Sequence, residues 1–165
     1  MAAAITLVEP AQNEFLAQLE SRSGKPNHFF RTMAHRPEVL KNFVPLYGAI
    51  MGPGSVARRL KELVYLAASF TNQCAYCSAS HRASGKKAGI AEEEMAALMA
   101  GQDERFLGEE AAVIRYSREL TRHAAASREG LEAWFNQEQI VELTLVAAMA
   151  NFTNRFNNGL GLQPE

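Results

Sequence analysis

The chain has 165 residues, 47% of them hydrophobic and 21% charged, and its 17 Lys and Arg against 18 Asp and Glu give a formal net charge of −1. These values fit one globular domain, 1–165, long enough to bury a real core. They exclude a basic nucleic-acid-binding protein, and no apolar run reaches membrane-spanning length.

The apolar start Met1–Val8 has no Lys or Arg before it and is too short for a signal peptide. The expected compartment is therefore the cytoplasm, with no membrane and no nucleic acid as partner. Helical period dominates from there on. Pro10 suits a first helical position, and Ser23-Gly24-Lys25-Pro26 ends the segment that follows. Asn27 can cap a short helix carrying Phe29, Phe30 and Met33. Pro37 opens another through Val39, Leu40, Phe43, Leu46, Tyr47 and Ile50, stopped by Gly52-Pro53-Gly54. Ser55 is a plausible cap for a helix over 56–71, whose second half is apolar nearly all round and is expected at the centre of the fold. Further helices are expected over 75–87, with Gly89 at its exit, from Ala91 to Gly101, over 109–126, over 130–135, and over 137–157 with Gly159 as terminator. The fold class is all-α, one domain.

One short constellation stands out. Cys74 and Cys77 are the only cysteines and form a Cys-x-x-Cys; His81 follows by four positions, and Glu62 precedes Cys74 by twelve. On a helix starting near Cys74, residues 74, 77 and 81 share one face. The spacing permits a short disulfide, and the positive end of the helix favours a thiolate, the reactive form of a cysteine. His81 can serve as base to Cys77 or hold a relay water, and Glu62 can turn inward to orient it. Each residue also has a plainer reading. The cysteines could be small core residues, His81 a satisfied histidine, and Glu62 an i, i+4 surface partner of Arg58. The same four side chains could bind zinc, although a second ligand knuckle is missing.

Other features are weaker. Asn151, Asn154 and Asn158 share a helical face that reads as an exposed polar face, as a set of capping groups or, favoured by the strong apolar stripe beside it, as a subunit interface. Trp134 with Phe135 reads as packing, and Arg82, Lys86 and Lys87 as a solvated face with a secondary role in favouring the thiolate or drawing an anionic partner. Phe29, Phe30, Phe43, Tyr47 and Met51 read as core, with an apolar entrance to the site as the alternative. His28, His35 and His123 form no motif.

The run Glu62-x11-Cys74-Ala75-Tyr76-Cys77-x3-His81, followed by Gly85 and Gly89-Ile90, resembles the AhpD-like alkyl hydroperoxidases of the carboxymuconolactone decarboxylase superfamily. The resemblance is specific over Glu62 to Ile90 and looser elsewhere. It implies an all-helical AhpD-like bundle, a homo-oligomer (trimer or hexamer), and a thiol-dependent peroxidase acting on organic hydroperoxides with no cofactor. Carried over by residue, it makes Cys77 the peroxidatic cysteine, Cys74 the resolving one, and His81 with Glu62 the proton relay. It implies a lipoyl-bearing or thioredoxin-like reductant, and general Cys-x-x-Cys logic expects Cys74 to be the more exposed sulfur that meets it. Tyr76 departs from the pattern, which has a histidine before the second cysteine; a phenol can donate a hydrogen bond but cannot replace an imidazole as base near neutral pH. Three alternatives stand beside this reading: a general thiol–disulfide oxidoreductase, a carboxymuconolactone decarboxylase-like enzyme with incidental cysteines, and a non-enzymatic redox- or metal-responsive protein.

Overall fold

The computed structural model describes residues 5–165; Met1–Ala4, the start of the apolar N-terminal stretch, lies outside the described residues. Among these there are nine α-helices, two short 3-10 turns and no strand: α1 (Glu14–Ser23), α2 (His28–Met33), α3 (Pro37–Met51), α4 (Arg58–Thr71), α5 (Ala75–Lys87), α6 (Glu92–Ala100), α7 (Gly108–His123), α8 (Glu129–Glu132) and α9 (Gln137–Leu160). The all-helical expectation holds. None of the helices is long and apolar enough to cross a membrane.

The near-continuous apolar run of α4 places it at the centre, packed against α5, α7 and α9, with every residue from Leu60 to Ser69 buried. Gly85 lets α5 approach closely: a β-carbon there would stand 3.3 Å from a Leu66 methyl and 3.4 Å from Ile90. Two charged side chains are buried with α4. Lys61 donates to the carbonyls of Ile50 (2.9 Å) and Gly52 (2.7 Å) and pairs with Glu142 of α9, so its charge is matched where water cannot reach it. Glu62, the second, belongs to the candidate site.

Several helix ends differ from the sequence reading. Ser55 does not cap α4, which begins after Ala57; its hydroxyl and N–H both donate to Glu142, at 2.6 and 2.8 Å, and tie the 52–57 connection to α9. Helix α7 stops at His123, because Ala124 takes a left-handed conformation (φ 57°). Gly159 lies inside α9. Gly161 ends it (φ 67°), and the N–H of Leu162 returns to the carbonyl of Asn157 at 2.9 Å. Trp134 is exposed, while Phe135 is buried.

Asn151 and Asn154 of α9 face the chain's own interior rather than a subunit interface, while Asn158 is exposed. Both buried asparagines accept from the side chain of Asn72 (3.0 and 2.9 Å). Asn151 donates to Thr121 and Asn154 to Ser69, and Asn158 donates to the carbonyl of Asn72. The C-terminus of α4 leaves carbonyls and a polar turn that need partners, and α9 supplies them. This lattice fixes the α4–α5 turn, and with it Cys74.

Candidate active site

The turn from α4 to α5 runs through Asn72, Gln73 in a left-handed conformation (φ 53°) and Cys74, whose N–H donates to the Ser69 carbonyl at 2.9 Å. Cys74 is not on the helix but just before it, as an extended N-cap whose sulfur accepts the N–H of Cys77 at 3.2 Å. A cap of this kind meets an otherwise unpaired helix N–H and favours negative charge on sulfur. The two cysteines form a disulfide, so the structure holds the site in its oxidised form.

The sulfurs are not equivalent. Cys74 is 0% exposed and Cys77 3%, and only Cys77 lines the neighbouring cavity. This reverses the expectation that Cys74 is the more accessible: Cys74 caps α5 with its sulfur and is wholly buried, while Cys77, one turn in, lines the cavity. The side-chain amide of Asn157, on α9, donates to Cys77 Sγ at 3.2 Å. Asn157 is 1% exposed, and its Oδ1 has no partner.

His81 is buried beside Cys77 with both ring nitrogens engaged. Nδ1 bonds Glu62 Oε2 at 2.8 Å, and Nε2 bonds the Tyr47 hydroxyl at 3.1 Å. The ring is stacked on Tyr65 with centroids 3.6 Å apart and planes 13° from parallel. Tyr65 is held in turn by a 2.5 Å bond from its hydroxyl to Thr153. Glu62 is fully buried, and its other oxygen pairs with Arg58 at 2.6 Å. Glu62 is thus the partner of His81 and also the i, i+4 partner of Arg58, but from a buried position and not as a surface pair. Burial, reinforced by the negative charge of Glu62, pushes the Tyr47 phenol well above the usual tyrosine range.

The cavity, of about 170 Å³, is walled by Phe29, Phe30, Phe43, Tyr47, Tyr65 and Tyr76, with Cys77, His81, Thr153 and Asn157 on its inner side. Four of the five residues read as core or entrance line it; Met51 is buried elsewhere. Phe29 and Phe43 do both jobs, being buried core residues that also line the cavity. The Tyr76 hydroxyl donates to Glu165 at 2.7 Å and accepts the N–H of Phe29 at 3.2 Å, which anchors α2 over the site. Burial and the adjoining Glu165 carboxylate raise its pKa strongly. Arg82, Lys86 and Lys87 are exposed, and Lys86 pairs with Glu92. Among the described residues no group of three or more His, Cys, Asp or Glu side chains is disposed to hold a metal ion.

The four residues singled out from spacing thus lie together. Those the sequence reading missed as part of the site are Tyr65, Thr153 and Asn157, and for Tyr47 the bond to His81. Tyr65 had a local signal, because it lies three residues after Glu62, next to it along the helix. Thr153 and Asn157 are some 80 residues away on α9 and had none.

The fold is AhpD-like. Its solved neighbours include an uncharacterized peroxidase-related protein with an alkylhydroperoxidase AhpD core from Ralstonia eutropha JMP134, at 20% identity, covering 99% of this chain and 94% of that one with a TM-score of 0.85. An uncharacterized peroxidase-related protein from Silicibacter sp. TM1040 follows at 18% identity, 99% and 91% coverage, and a TM-score of 0.84. The debrominase Bmp8, in a cysteine-to-alanine variant bound to 2,3,4-tribromopyrrole, is similar at 19% identity, 100% and 93% coverage, and a TM-score of 0.80. Comparison with curated proteins found no match. The model of the carboxymuconolactone decarboxylase family matches residues 37–119, half of the chain, from α3 into α7, and the chain belongs to that family.

Proposed function

We propose that the protein is a thiol-dependent peroxidase that reduces organic hydroperoxides through Cys77 and Cys74 and is re-reduced by an external dithiol. The observation that carries this reading is that Cys77 and His81 line one cavity, with His81 bonded from behind by the buried Glu62. Glu62 and His81 draw the proton from Cys77, the thiolate attacks the peroxide, and the sulfenic acid left on Cys77 condenses with Cys74. The aromatic walls favour an organic peroxide over hydrogen peroxide.

The depth of the disulfide bears on the reductant. Both sulfurs are almost wholly buried and only Cys77 meets the cavity, so a slender dithiol, free or on a lipoyl arm, suits the site better than the broad face of a thioredoxin-like protein. The same burial disfavours a general thiol–disulfide oxidoreductase. The test is steady-state consumption of cumene hydroperoxide with dihydrolipoamide or with reduced thioredoxin. Sustained turnover with the first, and at least about tenfold less with the second, is expected, a difference of about 1.4 kcal/mol in the reduction barrier. Equal or better turnover with thioredoxin would overturn the slender-reductant assignment, and no turnover with either would overturn the peroxidase.

The aromatic walls also favour a second reading, thiol-dependent removal of halogen from a flat ring, in view of the likeness to a debrominase. Bromide release from 2,3,4-tribromopyrrole in the same assay would support it.

The reading treats 1–165 as one domain, because α2, α3, α4, α5 and α9 all contribute to one cavity. It places the protein in the cytoplasm, where the disulfide can be reduced between turnovers. It also takes the protein to be a homo-oligomer. Val141, Leu145 and Phe152 on α9, with Val39 and Leu46 on α3, leave an exposed apolar surface that a second copy could cover.

A further inference from the structure

We infer that the Tyr47 hydroxyl is the acid that protonates the leaving oxygen of the hydroperoxide, as the last member of a chain Arg58–Glu62–His81–Tyr47; the inference rests on the peroxidase reading above. The polarity of the chain follows from what each atom can do. A carboxylate only accepts, so His81 carries its hydrogen on Nδ1 toward Glu62. In the neutral ring Nε2 is then a lone pair, and the Tyr47 hydroxyl donates to it. The Tyr47 hydroxyl turns its hydrogen away from Nε2 as that nitrogen takes up the proton of Cys77, and Nε2 becomes a donor. The Tyr47 oxygen now accepts from it, and the hydroxyl hydrogen is released toward the cavity that Tyr47 shares with Cys77. The acid is therefore presented only after the nucleophile has formed.

The chemical step balances. The Cys77 thiolate attacks the terminal oxygen of R–O–O–H; a sulfur–oxygen bond forms and the oxygen–oxygen bond breaks. Sulfur loses two electrons, and the pair leaves on the alkoxide RO⁻. That alkoxide takes the hydrogen of Tyr47 and departs as ROH, and Tyr47 recovers a hydrogen from His81 Nε2. The peroxide's own hydrogen stays on the sulfenic acid. An alkoxide is a strongly basic leaving group, and this is where a positioned acid matters most.

None of the other aromatic or imidazole groups in the cavity is as well placed. His81, once it has taken the Cys77 proton, directs Nε2–H at the Tyr47 oxygen and Nδ1–H at Glu62. The Tyr76 hydroxyl is held between Glu165 and the Phe29 N–H. That of Tyr65 is bonded to Thr153, whose own hydroxyl donates to the backbone of α9. The Tyr47 ring is fixed by Phe43 (centroids 5.6 Å) and by an edge contact with Tyr65 (6.4 Å), so its hydroxyl has little freedom. As a phenol it carries its hydrogen at neutral pH.

The test is Tyr47→Phe, which keeps the ring, in a Cys74→Ser background where Cys77 is the sole thiol. Single-turnover oxidation is compared for cumene hydroperoxide and for perbenzoic acid, whose carboxylate leaves without needing a proton. Alkylation of Cys77 by iodoacetamide reports thiolate reactivity and correct folding. The expected result is a loss of about 100-fold with cumene hydroperoxide, little change with perbenzoic acid, and unchanged alkylation. No loss with cumene hydroperoxide, an equal loss with both oxidants, or a parallel loss of alkylation would each overturn the role of Tyr47. A parent protein with Tyr47 intact that reacts with neither oxidant would instead remove the peroxidase reading, and this inference with it.

Discussion

Cys77→Ser is expected to abolish consumption of organic hydroperoxide, whereas Cys74→Ser is expected to consume one equivalent and then stall. The asymmetry follows from the environments of the two sulfurs. Cys77 opens on the cavity and receives a hydrogen bond from Asn157, which favours its thiolate. Cys74 is wholly buried at the start of α5 and meets peroxide only through Cys77. Without Cys74 the sulfenic acid has no intramolecular partner and proceeds to higher oxidation states as peroxide accumulates. Peroxide assay with dihydrolipoamide, together with dimedone trapping, distinguishes the two variants. Steady turnover by both would contradict the cycle, and loss in Cys74→Ser with turnover in Cys77→Ser would exchange the roles.

The second large effect is expected at Glu62. Glu62→Gln keeps the size of the side chain but removes the charge that fixes the Nδ1–H tautomer of His81 and stabilises the imidazolium formed when Cys77 is deprotonated. The rate with cumene hydroperoxide should fall by about 100-fold, of the order seen for loss of general base catalysis. Iodoacetamide alkylation should fall with it, because the defect lies in forming the thiolate, and this separates Glu62→Gln from Tyr47→Phe. The fold should survive: Arg58, the other partner of Glu62, is about half exposed and can be solvated by water. A rate within a few-fold of wild type would show that Glu62 merely fills space between α4 and α5.

The parts legible in the sequence are those whose cause is local. The helix of 58–71 follows from its own apolar run, and Glu62, Cys74, Cys77 and His81 follow from spacing along two consecutive helices. Tyr47 reaches His81 from α3, and Asn157 reaches Cys77 from α9, through tertiary packing that leaves no trace in nearby residues. The asparagines of α9 show the limit of periodicity, since three polar residues on one face read the same whether that face meets water, a second subunit or the end of a buried helix. Here the unpaired groups after Thr71 determine the outcome. The end of α9 is read at Gly159 from the sequence, whereas the left-handed turn that ends the helix falls at Gly161. The exposure of the cysteines was misjudged for a related reason: a cysteine before a helix can cap it with its own sulfur, and doing so buries it.

The most direct measurement is intact-protein mass after full reduction and addition of one equivalent of cumene hydroperoxide, for wild type and Cys77→Ser. A rapid loss of two hydrogens in wild type, absent from Cys77→Ser, is the expected result, because closing the Cys74–Cys77 disulfide removes two hydrogens and needs both thiols. An unchanged wild-type mass, or the same loss in the variant, would contradict hydroperoxide reduction at this site.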